Sequence, residues 1–523
     1  PLRRQRQMCI RDRVSVDDQS FDTGTVSTSK LIDIIFSQNG HTGNSLMRFN
    51  GDTGSNYAER FDVNGGGDNV RQSGTSNINV LTAGTGDVQT LTFLNMVNIS
   101  GEEKLSVYDT IYTNATGAGT APLRVRGVSK WANTSAQITQ TTVTDSGNGF
   151  DTGSNLSVLG SDITPAIVTP AIPAIPSLMP NLPSGSVGGW VELGRTSNAS
   201  LPDVTGLADK RYLMFLNFQE SNNSRPAPAI IINGDTGSNY ARRGNANGLT
   251  DYTNVNQPQI MFGGQPEGNT TTVPYFTVGY IANKSDKEKL AICHNTLSYQ
   301  LGASGSDPLE RRDTVFKWTN TSEPIDQLTI TNFLSGSFTT NGELIVLGWD
   351  PTDTHTTNFW EELASVTLGT DGDVLSSGTI SAKKYLWVQA FIKNSGDTAR
   401  FNTQVTFNDD TSNNYAMRRS FDGGSDSTST SASNLFSSGV TGSNDDLWCM
   451  NLFILNNASN EKLCIAHGFD TYIGSGAGNA PSQRYEAVGK WTNTHNQITK
   501  IDITNTDTSN YDAISELRVW GSD

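Results

Sequence analysis

Apolar residues in this chain come in short runs, with no helical spacing between them. Tyr212-Leu213-Met214-Phe215-Leu216-Asn217-Phe218 and Tyr385-Leu386-Trp387-Val388-Gln389-Ala390-Phe391-Ile392 are apolar on both faces of an extended strand, as a central strand of packed sheets would be. Leu517-Arg518-Val519 and Ile501-Asp502-Ile503 alternate instead, which predicts strands with one buried face. Stretches rich in Gly, Ser, Thr, Asn and Asp separate the runs, and no long segment carries a 3.6-residue period. The pattern predicts an all-β chain of packed sheets, a β-sandwich of jelly-roll-like topology.

The pattern is written three times. Asn50-Gly51-Asp52-Thr53-Gly54-Ser55-Asn56-Tyr57 returns unchanged at Asn233 to Tyr240, and in altered form as Asn408-Asp409-Asp410-Thr411-Ser412-Asn413-Asn414-Tyr415. Glu-Lys-Leu follows from Glu103, Glu288 and Glu461, and Lys-Trp-x-Asn-Thr from Lys130, Lys317 and Lys490. A closing Leu-x-Val-(Leu or Trp)-Gly-x-Asp ends at Asp162, Asp350 and Asp523. Four landmarks in constant order and near-constant spacing point to duplication of a whole domain. The expected domains span 14–162, 188–350 and 360–523, joined by a Pro-rich linker at 163–187 and a short linker at 351–359. The first linker should be an extended, semi-rigid spacer that holds domain one off from domain two. Residues 1–13 carry five Arg and resemble translated adaptor sequence, so they are set aside as a non-native arm that leaves the first domain truncated at its N-terminus.

Charge narrows the partners. The net charge is −16, and removing the arm, with five Arg and one Asp, leaves −20. Acidity of that size argues against attraction to nucleic acid or anionic lipid. No run of 18 apolar residues exists, so no membrane-spanning helix is expected. Outside the arm the cysteines are Cys293, Cys449 and Cys464, an odd number that suggests buried free thiols over a disulfide framework.

Candidate chemistry lies in the recurrent words. Asp52 and Asn56, Asp235 and Asn239, and Asp410 and Asn414 place side-chain oxygens in an exposed turn, where calcium is the metal that would fit. The competing reading is a structural turn in which Asn-Gly and the second Gly take positive φ, closed by an ion pair from Asp to Arg60, Arg243 or Arg418, with the Tyr packed on the sheet edge. Trp131, Trp318 and Trp491 are candidate glycan platforms if exposed, and core or edge anchors if not. His294 and His467 occupy matching positions after Glu-Lys-Leu, where the first repeat has Asp109, and no His recurs in all three copies. No triad order, nucleophile elbow, metal-spaced His/Cys cluster or phosphate loop is seen, so no catalytic residue is assigned. Triplication favours binding, which gains from avidity, over catalysis.

A strand leading into Arg48-Phe49-Asn50-Gly51-Asp52-Thr53-Gly54-Ser55-Asn56-Tyr57, then Lys-Trp-x-Asn-Thr with Gln-Ile-Thr, then Leu-x-Val-Trp-Gly, resembles a family of β-sandwich domains in virion proteins of tailed phages and related viruses, many from marine environmental sequence. The resemblance covers all three repeats, although the third lacks both glycines of the turn. It implies a non-enzymatic structural or adhesion protein of tail-fibre or surface-decoration type, located on the virion surface or extracellularly. Its partners would be neighbouring virion proteins or host-surface glycans, and a homotrimer would suit a fibre. The alternative is a secreted or cell-surface protein with three tandem carbohydrate-binding modules.

Overall fold

The computed structural model describes residues 9–13, 19–26, 28–40, 43–68, 70–81, 89–113, 115–160, 189–207, 210–266, 272–305, 308–350, 358–396, 401–440, 447–470 and 483–523. The first predicted linker, 163–187, lies outside the described residues, and so does the second apart from Asn358 and Phe359. Among the described residues every regular element is a β-strand.

The strands form six antiparallel sheets with one order used three times. In the second repeat an eight-stranded sheet runs Val191–Ser197, Glu343–Trp349, Tyr212–Glu220, Pro274–Ala282, Lys289–Ser298, Leu309–Trp318, Tyr240–Ala246, Tyr252–Gln257. A four-stranded sheet runs Asp203–Thr205, Gln327–Asn332, Pro228–Ile232, Ile260–Met261. Leu213, Phe215, Phe316 and Val346 of the large sheet share one buried core with Ile230, Ile232, Leu328 and Ile330 of the small one. The first and third repeats build the same kind of core between their own two sheets. Val388 and Ile392 sit with Leu517, Val519, Ile501 and Ile503 in the third, as the alternation of the last two strands predicts.

The strand Tyr212–Glu220 is buried at every position. Leu213 and Phe215 face the core of their own repeat, whereas Tyr212, Met214, Leu216 and Phe218 face a separate cluster drawn from all three repeats. That cluster includes Ile35 and Phe93 from the first repeat, Tyr280 and Ile292 from the second, and Trp387, Phe453 and Ile465 from the third. An apolar second face on the central strand thus exists because the repeats pack against one another, which removes that face from water. Trp190 and Trp360, which precede the first strands of repeats two and three, are buried in the same cluster.

The packing closes a ring. Arg124 of the first repeat donates to Asp251 of the second at 2.6 Å, Arg311 of the second to Asp426 of the third at 2.7 Å, and Arg484 of the third to Asp68 of the first at 2.6 Å. Each Arg lies seven residues before its landmark Trp, and each Asp eleven after its landmark Tyr, so one contact is repeated head to tail until it returns to its start. All three guanidiniums are buried. The expectation that the first repeat stands off from the second is therefore corrected: direct side-chain contacts bind their surfaces. The arm differs from expectation as well, since Cys9–Arg13 pairs antiparallel with Asn155–Gly160 at the sheet edge that Val191–Ser197 and Glu361–Thr367 occupy in the other repeats. Edge pairing uses backbone groups that almost any sequence supplies.

Candidate functional site

The recurrent turn is a closed structural unit. Asn50 and Gly51 have φ of 51° and 67°, and the Asp52 N–H donates to the Phe49 carbonyl at 2.9 Å, the geometry of a tight turn with two left-handed residues. Asn233 and Gly234 repeat it, and in the third repeat Asp409 takes φ 58° without a glycine. Gly54 and Gly237 do not take positive φ; they leave room, since a Cβ on either would stand 2.8 Å from the neighbouring Asn amide nitrogen.

Both oxygens of the turn carboxylate are engaged. Asp52 accepts from the Gly54 N–H at 2.8 Å, the Asn56 amide at 2.9 Å and the Trp131 indole N–H at 2.7 Å. Asp235 and Asp410 accept the same set, with Trp318 and Trp491 each donating at 2.7 Å. Burial opposes ionisation of each Asp, but these hydrogen bonds outweigh it and hold all three below the usual carboxylate range. The calcium reading of Asp52, Asn56, Asp235, Asn239, Asp410 and Asn414 is corrected on this ground: each Asn presents NH₂ to the Asp, and the carboxylate is saturated by donors. The glycan reading of Trp131, Trp318 and Trp491 is corrected too, because all three are at most 1% exposed and pack against Tyr57, Tyr240 and Tyr415. A pyranose would find no free indole face.

The Asp-to-Arg closure within the turn is also replaced. Arg60 pairs with Asp422 of the third repeat, Arg243 donates to the Pro122 carbonyl of the first at 2.9 Å, and Arg418 to the Leu309 carbonyl of the second at 2.8 Å. The other landmarks serve the seams in part. Glu103, Glu288 and Glu461 accept from Lys130, Lys317 and Lys490 at 3.2–3.3 Å. Lys317 also reaches the Ala115 carbonyl of the first repeat at 2.7 Å, and Glu461 takes the Gly302 N–H of the second at 2.6 Å. Lys104, Lys289 and Lys462 donate to the carbonyls of Asn133, Asn320 and Asn493, tying the Glu-Lys-Leu strand to the Lys-Trp-x-Asn-Thr loop.

Where the three repeats meet, Asp109, His294 and His467 converge. They stand at one register on equivalent strands, paired across to Arg126, Asp313 and Glu486. One ligand-type atom from each lies within 4.8 Å of the others, the only such trio of His, Cys, Asp or Glu among the described residues. The rings of His294 and His467 are 4.3 Å apart between centroids, and His294 Nε2 is 3.7 Å from Asp109 Oδ2. His294 Nδ1 lies 3.0 Å from Asp313 Oδ1 and 3.4 Å from a terminal nitrogen of Arg126; the shorter contact is that of an Nδ1–H donating to the carboxylate, and it turns Nε2 towards Asp109. Arg126 donates from Nε to Asp109 at 2.8 Å and from its terminal nitrogens to Asp313 at 2.8 Å.

Electrostatics fix the states of two members. Burial first, and then the neighbouring His294, push His467 down to about 3, so this imidazole is neutral at ordinary pH. Burial opposes ionisation of Asp109, yet the neighbouring charges, Arg126 first among them, outweigh it and hold the carboxyl below its usual range. A cavity of about 20 Å³ adjoins the trio, lined by Phe93, Asn95, Tyr280, Ile292, Asn451 and Phe453 among others. Sequence reasoning noted these three positions as equivalent but dismissed them because the residues differ. The readable signal was a titratable residue at one register in strands otherwise buried and apolar.

No family model matches the chain, and no curated protein matches it. Solved structures offer faint likeness: domains LG4-5 of the mouse laminin alpha1 chain, at 8% identity and TM-score 0.12, cover 65% of this chain and 92% of theirs. An outer membrane channel from Pseudomonas putida F1, at 7% identity and TM-score 0.11, covers 91% of this chain and 96% of its own. At such scores neither likeness carries an argument about fold or function.

Proposed function

We propose that the chain is a non-enzymatic virion structural or adhesion protein, of tail-fibre or surface-decoration type, built from three tandem jelly-roll-like β-sandwich domains. The observation that carries the multivalent part of this reading is the ring of repeated contacts, Arg124 to Asp251, Arg311 to Asp426 and Arg484 to Asp68. A ring closed this way presents the same outer loops three times at fixed spacing, so weak contacts to a neighbouring virion protein or a host-surface glycan add into avidity. The threefold arrangement expected of a fibre homotrimer has an intramolecular counterpart here. The virion assignment itself rests on the resemblance of the repeated words.

Gene order on the source contig and immunogold labelling of particles test the proposal. Flanking portal, capsid or terminase genes and label on the particle surface are expected. Flanking secretion and polysaccharide-degradation genes, with antigen found only free or on cells, would overturn it in favour of a secreted carbohydrate-binding protein.

A further inference from the structure

We infer that Asp109, His294 and His467 form a binding site for one divalent transition-metal ion, an axial clasp to which each repeat contributes one ligand. The trio presents two imidazoles and a carboxylate, the mixed nitrogen and oxygen set that suits zinc, cobalt, nickel or ferrous iron and not calcium or magnesium.

The second shell is arranged as such a site requires. Asp313 accepts a hydrogen bond from His294 Nδ1 at 3.0 Å and turns Nε2 to the trio as its ligand atom, the carboxylate–histidine pairing found behind metal-bound imidazoles. Arg126 occupies Oδ1 of Asp109 at 2.8 Å and leaves Oδ2 on the side of His294. The charge of Arg126 is itself matched by Asp109 and Asp313, which it contacts together. No hydrogen bond engages the His467 ring among the described residues, so its nitrogens are not committed elsewhere.

Metal–ligand bonds of roughly 2.0–2.2 Å bring three donor atoms to within about 3–3.5 Å of one another. The present 3.7 Å between His294 and Asp109, and the 4.8 Å bound on the whole trio, close to that by small side-chain rotations. The adjoining cavity of about 20 Å³ has room for one water as a fourth ligand. The ligands are unlike because three carboxylates at this point would repel and three bulky imidazoles would crowd, whereas two rings and one carboxylate fit together. Since the ligands come from three repeats, the ion would bind the closed ring and not the open chain, and so stabilise closure.

Untagged full-length chain, stripped with a chelator and titrated with Co²⁺, tests the inference. Expected are one Co²⁺ bound per chain by equilibrium dialysis, visible absorption bands distinct from those of aqueous Co²⁺, displacement by Zn²⁺, and a higher melting temperature. His467→Asn should weaken Co²⁺ binding at least tenfold, and Asp313→Asn about 10–100-fold through loss of the orienting hydrogen bond. Absence of stoichiometric binding to the folded wild-type chain would overturn the inference whatever the variants do. An ion that stays bound with unchanged spectrum in a folded His467→Asn variant would overturn it equally.

Discussion

The turn at Asp52, Asp235 and Asp410 and the axial trio of Asp109, His294 and His467 are opposites. The first repeats its residues and is spent on folding; the second varies them and leaves donor atoms turned inward. Each turn lies within one repeat and sees the same surroundings three times, so one solution serves all. The axial residues see one another, and identical residues meeting at one point would clash or repel. Recurrence in this chain therefore marks what serves every repeat alike, in the turns and in the Arg-to-Asp seams, while departure from recurrence at a shared register marks the one point where all three repeats meet.

The contrast can be broken most forcefully at a seam. Arg484 satisfies Asp62 and Asp68 of the first repeat, whose side chains are both buried, and Arg484→Ala leaves them without that cation. A loss of about 3–5 kcal/mol is expected in urea unfolding, with repeats that melt separately in calorimetry. A loss under about 1 kcal/mol with unchanged cooperativity would show that ring closure does not depend on this pair.

The pH profile should carry opposite signs at the two regions. Asp33, buried beside the meeting point of the repeats and donated to by Asn95 at 2.6 Å, is pushed up to about 7, chiefly by burial. Its folded pKa exceeds its unfolded one, so its contribution is fully present below about pH 4 and is lost progressively as pH rises towards 7. The turn aspartates are held below their unfolded value, so theirs is present above about pH 4 and lost as pH falls further. Asp33→Asn should flatten the neutral limb of a stability–pH curve and leave the acid limb in place. A neutral limb unchanged by Asp33→Asn would refute the assignment.

A smaller effect is expected from Asp235→Ala, which leaves the buried Trp318 indole N–H without its acceptor. The cost should be about 1–3 kcal/mol and confined to the second repeat, as read by hydrogen exchange. Spread of the lost protection into the seams would mean that turn and ring are not independent. The least effect belongs to Asp409→Gly, which relieves a left-handed residue at φ 58° but adds unfolded-state entropy and drops the exposed pair with Lys500. A change within about 1 kcal/mol of wild type is expected by thermal melting, given the opposing terms.

The all-β character was legible because short runs and polar turns leave no other period, as Tyr212–Glu220 and Glu516–Ser522 illustrate. The buried free thiols Cys293, Cys449 and Cys464 were legible from their odd number. What could not be read was the partner of a second apolar face: Met214, Leu216 and Phe218 advertise burial but not against what. The Pro-rich composition of 163–187 suggested separation, yet composition sets the stiffness of a linker and not whether the surfaces it joins adhere. Trp131, Trp318 and Trp491 misled in the other direction, since a recurrent Trp reads equally as platform or anchor until the acceptor for its N–H is known.

The ring is written into one covalent chain, and that alters its response to dilution. Three separate subunits joined by pairs such as Arg311 with Asp426 would fall apart as their concentration dropped. Repeats held on one backbone meet at a local concentration that the volume of solution cannot change. The assembly keeps all three members at any dilution, and each seam can drift in sequence on its own without having to suit two others at once.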